Sequence, residues 1–203
     1  TLSIDDLAPI ADLALSSSVI SESVGTLNGV VTDIPYPGED RALALHFEET
    51  AGATNFVDAS NNGLSIMCSN CPSAGGSGAN GKAASFDGVN DVLTLSSLFD
   101  PASSKFTVMT WFKVNGLGSQ RTLIAQKAGT GTGRTWLLLT SDGKLASDLG
   151  GSRLSSPETI SSNQWHHAAL TYDGTTLHLY LDGTLTAQAD RSLESSGGEI
   201  VLG

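Results

Sequence analysis

Apolar and polar residues alternate with a period of two along most of this chain, and Asp-Gly pairs interrupt the alternation. Between Trp165 and Leu185 two such pairs, Asp173-Gly174 and Asp182-Gly183, separate three alternating runs. Successive side chains of a strand point to opposite faces, and Asp-Gly tolerates the positive φ angles of a tight hairpin. The segment therefore predicts a three-stranded antiparallel meander, with Leu177, Leu179 and Leu181 toward a core and His178, Tyr180 and Asp182 outward. Leu43, Leu45 and Phe47 alternate with Ala44, His46 and Glu48 and predict a half-buried strand. Phe106 to Lys113, long, aromatic and β-branched, suits a central strand. Val92 to Leu95, Thr122 to Gln126, Trp136 to Thr140 and Leu145 to Leu149 add more, and the turns Asp87-Gly88 and Ser141-Asp142-Gly143 separate some of them. No apolar stripe recurs at helical spacing over the ten or so residues that an independent helix needs. About ten to twelve short strands with turns between them predict an all-β protein of two antiparallel sheets packed face to face.

Composition narrows the partners. A formal charge of -11 with 10 Lys+Arg in 203 residues provides no basic footprint for nucleic acid or an anionic membrane surface. It favours divalent cations or neutral ligands such as glycans. No run reaches the roughly 18 apolar residues of a membrane helix, so no membrane insertion is expected of this segment. Residues 1 to about 40, rich in Ser, Asp, Leu and Val and ending in Ile34-Pro35-Tyr36-Pro37-Gly38, read as a linker or the end of a preceding β repeat. The alternative is that they pack back on the sandwich or onto a neighbouring molecule. Both ends, Thr1 and the strand-like Glu199 to Gly203, read as cuts in a longer chain. Cys68 and Cys71 lack the further ligands of a zinc site. They read as a local disulfide pinning a surface loop in an extracellular setting, with free thiols as the alternative.

Gly81 to Gly88, the strand from Phe106 to Phe112, Gln164 to Gly174 and Leu179 to Gly183 resemble, in order and spacing, the laminin-G-like jelly rolls of the concanavalin A-like lectin/glucanase superfamily. The resemblance runs from about Arg41 to Gly203. It implies a two-sheet antiparallel jelly-roll sandwich. Family members usually close with a further strand after a segment like Glu199 to Gly203, so the expected sandwich lacks or borrows its last strand. The resemblance also implies that Trp165-His166-His167 is a structural start to the meander, with His167 or Trp165 packed inward.

Several candidate chemistries follow. Glucanases of the superfamily carry a Glu-x-Asp-x-x-Glu run, whose alternation puts the acid and the nucleophile on one face. No such run occurs here, and adjacent Glu48 and Glu49 diverge, while Glu194 and Glu199 lie in a loop and near the end. No Gly-x-Ser-x-Gly elbow supports serine hydrolysis, so no catalytic residue is assigned. Many laminin-G-like domains bind one calcium ion on a sandwich edge, and Asp58, Asn61 and Asn62 form an oxygen-rich turn that could contribute to such a site. An Asx-turn bonding only the backbone is the alternative. Tyr180, Tyr172 and Trp136 could stack on sugar rings. The simpler expectation is that Trp111, Trp136 and Trp165 fill the core.

These features predict a non-catalytic adhesion or recognition module of a secreted or cell-surface protein, binding a glycan or an extracellular protein. A bacterial source is expected from family habit and from the absence of any Asn-x-Ser/Thr acceptor. The second expectation is a structural subunit of an extracellular fibre or surface layer, self-associating through an open sheet edge by strand exchange.

Overall fold

The computed structural model describes residues 12–14, 42–60, 62–96, 99–103, 105–129 and 134–203. Among the described residues there are fourteen strands and no helix. They are β1 (Asp12–Ala14), β2 (Leu43–Ala44), β3 (Ser73–Ser77), β4 (Lys82–Ser85), β5 (Leu93–Leu95), β6 (Phe106–Phe112), β7 (Arg121–Gln126), β8 (Arg134–Leu139), β9 (Lys144–Ser147), β10 (Leu154–Thr159), β11 (His166–Tyr172), β12 (Thr176–Leu181), β13 (Thr184–Asp190) and β14 (Ile200–Leu202). One sheet runs β13-β12-β11-β6-β1-β2 and the other β10-β9-β8-β7-β14-β5, with β3 and β4 forming a separate hairpin. The fold is the expected all-β jelly-roll sandwich. The strand-like pieces between Val24 and Val31 lie outside the described residues.

The meander forms as its punctuation requires. Asp182 and Gly183 both take positive φ (49° and 78°) between the paired residues Leu181 and Thr184, which is the two-residue turn that matches strand twist. At the other reversal Asp173 Oδ1 accepts from the Thr175 and Thr176 amides at 2.8 and 2.7 Å. β11 pairs antiparallel with β6 along all seven of its residues. On its other side β6 pairs with β1, in parallel, at three positions among the described residues, Thr107, Val108 and Met109.

Alternation then sorts side chains between core and surface. Phe106, Val108, Thr110 and Phe112 of β6 point inward, as do Ala168, Leu170 and Tyr172 of β11 and Leu177 and Leu179 of β12. Leu93, Leu95, Ile124, Trp136, Leu145, Ile200 and Leu202 face them from the second sheet. Trp136, 0% exposed, is the centre of this layer. Its ring lies 5.6 Å from Phe106 and 5.4 Å from Phe99, and Phe106 lies 5.8 Å from Tyr172.

Only one of the three tryptophans fills the core. Trp111 and Trp165 are partly exposed, Trp111 because it occupies the parity opposite to the inward residues of β6, and Trp165 because it precedes β11 at the parity opposite to that strand's inward residues. Trp111 packs on His167 at 5.2 Å, and the Lys113 ammonium lies 5.1 Å from the Trp165 ring. Of the aromatics considered for sugar stacking, Trp136 and Tyr172 are buried and Tyr180 remains partly exposed. The first apolar run is shorter as a strand than its alternation implies. Pairing ends after a bridge at Leu45, and buried Phe47 takes a φ of +56°, which turns the chain. Cys68 and Cys71 are bonded to each other, closing the polar loop.

Candidate functional site

The Asp58 turn is the first site that the sequence singles out, and its geometry is that of a structural anchor. Asp58 Oδ1 accepts from the Ala44 and Ser60 amides at 3.1 and 2.9 Å, and Oδ2 from Ser60 Oγ and the Leu64 amide at 2.8 and 3.1 Å. Burial pushes this carboxyl up, but the hydrogen bonds from Ala44, Ser60 and Leu64 outweigh it, so the group lies below the ordinary carboxylate range. The Asn62 amide nitrogen donates to Ala42 O and Ser60 Oγ, and Asn61 lies outside the described residues. Calcium requires six to eight converging oxygens. Here four donor hydrogens already point at the two carboxylate oxygens. Asp58 and Asn62 as arranged do not fit a calcium ion, and among the described residues no group of three or more His, Cys, Asp or Glu converges as metal ligands.

The two histidines diverge as neighbours on a strand must, with His166 rather than His167 or Trp165 on the buried side. His166 Nδ1 lies 2.8 Å from Asp182 Oδ2 and Nε2 3.1 Å from the Ser161 carbonyl, with its ring against Phe112. Asp182 Oδ1 also accepts from the His167 amide at 2.8 Å, so one carboxylate ties the start of β11 to the end of β12. The pair is structural. His167 lies on the outer face beside Trp111, where burial pushes its imidazole down and the Asp182 charge opposes this in part. A base whose folded-state pKa is depressed binds protons less readily than in the unfolded chain, so its stabilising share is lost as pH falls through the unfolded value near 6.5. Thermal melts should show Tm falling between pH 7.5 and 5.5 by more in the wild type than in His167→Gln. An equal fall in both would contradict this role.

A polar concavity among the described residues lies on the second sheet, at the end where β7, β8 and β9 meet. It has a volume of about 360 Å³ and is lined by Ala125, Gln126, Arg134, Thr135 and Asp148. Register assembles it: Ala125 pairs with Thr135 and Gln126 with Arg134, and the Asp148 amide donates to the Thr135 carbonyl at 3.0 Å. Gln126 is buried and donates to the carbonyls of Ser196 and Gly198, fixing the loop that carries Glu194. Arg134 Nη2 meets Glu194 Oε2 at 2.8 Å. Asp148 takes a two-pronged contact from Arg153, Nε at 2.7 Å and Nη2 at 2.8 Å, and that hydrogen-bonded carboxylate raises the guanidinium pKa further.

The cleft therefore holds a guanidinium and a carboxylate in fixed orientations. Two of the roughly four acceptor positions of the Asp148 carboxylate are used by Arg153. What remains suits bidentate recognition of hydroxyl pairs. Sequence reasoning missed this site because its members come from two strands and the turn after a third, with no local motif. Glu194 and Glu199 are held at the surface by Arg134 and Lys127. Glu49 Oε1 accepts from the Val57 amide, and Glu48 Oε1 from that of Lys82.

A laminin G family model described as the concanavalin A-like lectin/glucanases superfamily matches residues 86–203. No curated protein matches the chain. Domain 4 of AbnA, a GH43 extracellular arabinanase from Geobacillus stearothermophilus solved in complex with arabinotriose, is similar at 21% identity and a TM-score of 0.51, covering 72% of this chain and 76% of that one. Trypanosoma rangeli sialidase in complex with sialic acid is similar at 17% identity and a TM-score of 0.53, covering 79% of this chain and 30% of that one. A Bacteroides ovatus protein described as carbohydrate binding is similar at 20% identity and a TM-score of 0.41, covering 54% of this chain. The chain spans 34% of that protein's length. At these identities the likeness is one of fold.

Proposed function

Because the chain belongs to the concanavalin A-like lectin/glucanases superfamily, we propose that it is a non-catalytic recognition module of a secreted or cell-surface protein that binds a glycan in the Gln126–Arg134–Thr135–Asp148 cleft. The observation that carries the reading is the cleft itself, a shallow polar surface whose charged groups are locked in orientation before any ligand arrives. Pre-oriented groups lose little entropy on binding, and alternating donors and acceptors match vicinal hydroxyls. Retaining glycoside hydrolysis instead needs two carboxyls about 5–5.5 Å apart, one of them protonated. Asp148 is the single carboxylate among the lining residues, and two of its contacts are already taken by Arg153. The arabinotriose bound to the arabinanase domain, of which this chain covers 76%, supports glycan over protein as the ligand class.

A glycan array followed by calorimetric titration of the best oligosaccharide tests this. Arg134→Ala or Asp148→Ala is expected to weaken binding by roughly 10- to 100-fold, the loss of one or two charge-assisted hydrogen bonds, with EDTA leaving it unchanged. Binding indifferent to both substitutions, or release of reducing sugar from the ligand, would overturn the assignment.

One observation supports a second reading, a structural subunit that self-associates by strand exchange. β1 is three residues long and lies parallel to both neighbours, in a sheet whose other pairings are antiparallel.

A further inference from the structure

We propose that the slot between β6 and β2 is a strand-acceptor site and that its partner is β1 of a second copy of this chain, so that two copies exchange Asp12–Ala14. The inference rests on the strand-exchange reading and gives it a location and a partner. The slot is interior to the sheet rather than at an open edge, with β2 as the terminal strand beyond it. On its other flank β2 is fixed. The Ala59 amide donates to Ala44 O at 2.8 Å, and the Ala44 amide donates to Asp58 Oδ1. β6 is fixed along its whole length by β11. The walls therefore persist when the occupant leaves.

The occupant itself is short. Among the described residues β1 pairs with β6 at three positions and with β2 at two, and parallel pairing is slightly weaker per residue than antiparallel. Short, locally unstable elements open without global unfolding. Opening would leave the backbone groups of β2 and β6 that pair with β1, at Leu43 and Val108 among others, without partners, so an empty slot carries a hydrogen-bonding cost and must be refilled. The strand assured of fitting is the one every copy carries, because the contacts are the same whether they form within a chain or between two.

Chain length permits the exchange. The 28 residues numbered 15–42 separate β1 from β2, an upper reach of roughly 90 Å. A domain of this length has a radius of gyration of roughly 17 Å, so β1 can leave its own slot and enter a neighbour's while β2 stays in place.

The register partners Ala14 and Met109 supply the test. Full-length chains bearing Ala14→Cys and Met109→Cys, distinguished by tags of different mass, are mixed, incubated and gently oxidised, with the Cys68–Cys71 bond left intact. A 14-to-109 disulfide joining the two different chains, rising in yield with protein concentration, is the expected result. The doubly substituted chain at high dilution should instead close the same bond within itself. If the double variant gives the internal bond at every concentration and the mixture gives no mixed dimer, the slot is closed within one chain and the proposal falls. It falls also if neither bond forms, since β1 is then not in the slot. Light scattering of the unsubstituted chain separates the two levels: association without a 14-to-109 bond spares the strand-exchange reading and sinks this site, whereas a monomer at every concentration sinks both.

Discussion

Trp136→Ala is expected to lower the free energy of unfolding by about 4 kcal/mol, the range for deleting a large aromatic from a packed interior. Trp136 is fully buried and touches Phe99 and Phe106, while Phe106 in turn meets Tyr172. The cavity would therefore open in the layer that joins the two sheets. Against a total of 5–15 kcal/mol for ordinary domains, such a loss removes a large part of the stability. Trp136→Phe is the discriminating companion. The indole N–H of Trp136 has no hydrogen-bond partner among the described residues, so phenylalanine removes volume but also an unsatisfied buried donor, whose burial carries a penalty of its own. Urea unfolding should place Trp136→Phe at about 1–2 kcal/mol below wild type. Equal losses for the two variants would show that the ring contacts are not what this position contributes.

Asp58→Ala is expected to cost about 3 kcal/mol, because it strands three backbone amides, those of Ala44, Ser60 and Leu64, that one carboxylate now satisfies. Asp58→Asn keeps one acceptor oxygen and should cost about half as much. The sign of the pH effect follows from the depressed folded-state pKa. The stabilisation is present above the unfolded carboxyl value of 3.8 and is lost as pH falls through the lower folded value. Melts from pH 5 to pH 2.5 should therefore show a steep fall in Tm for the wild type and a shallower one for Asp58→Asn. Parallel curves would remove Asp58 from the account.

Much of this fold can be read from residue parity and punctuation. The Asp-Gly pairs place the reversals of the meander, and period-2 runs place β6, β7, β8, β9, β11 and β12. β10 escapes because Leu154-Ser155-Ser156-Pro157-Glu158-Thr159 is serine-rich and holds a proline. That proline is tolerated because β10 is the edge strand of its sheet. β3, Ser73 to Ser77, has only Ala74 buried, so no apolar alternation marks it. Trp111 and Trp165 read as core when judged by size. Parity alone reverses that: with Phe106, Val108, Thr110 and Phe112 inward, Trp111 must face out, and with Ala168, Leu170 and Tyr172 inward, His166 rather than His167 or Trp165 is the buried member of its trio. A shift of one residue exchanges every face.

The candidate site was much less legible. Asp58 stands out in the sequence as an oxygen-rich turn, but residue type does not say whether its oxygens meet hydrogens or a cation, and the donors from Ala44 and Leu64 come from elsewhere in the chain. The cleft depends on the pairing of Gln126 with Arg134, on Asp148 hydrogen-bonding to Thr135, and on Arg153 and Glu194 reaching the same surface. These relations depend on strand register and on contacts as far apart in sequence as Arg134 with Glu194, so no spacing in the sequence announces them.

The most direct test of glycan recognition by the cleft is an amide NMR titration of the full chain with a soluble oligosaccharide that it binds on an array. Shifts concentrated at Gln126, Arg134, Thr135 and Asp148, saturating with a single dissociation constant while the sugar stays intact, are the predicted result. Saturable shifts confined to another face, with these four residues unmoved, would contradict it.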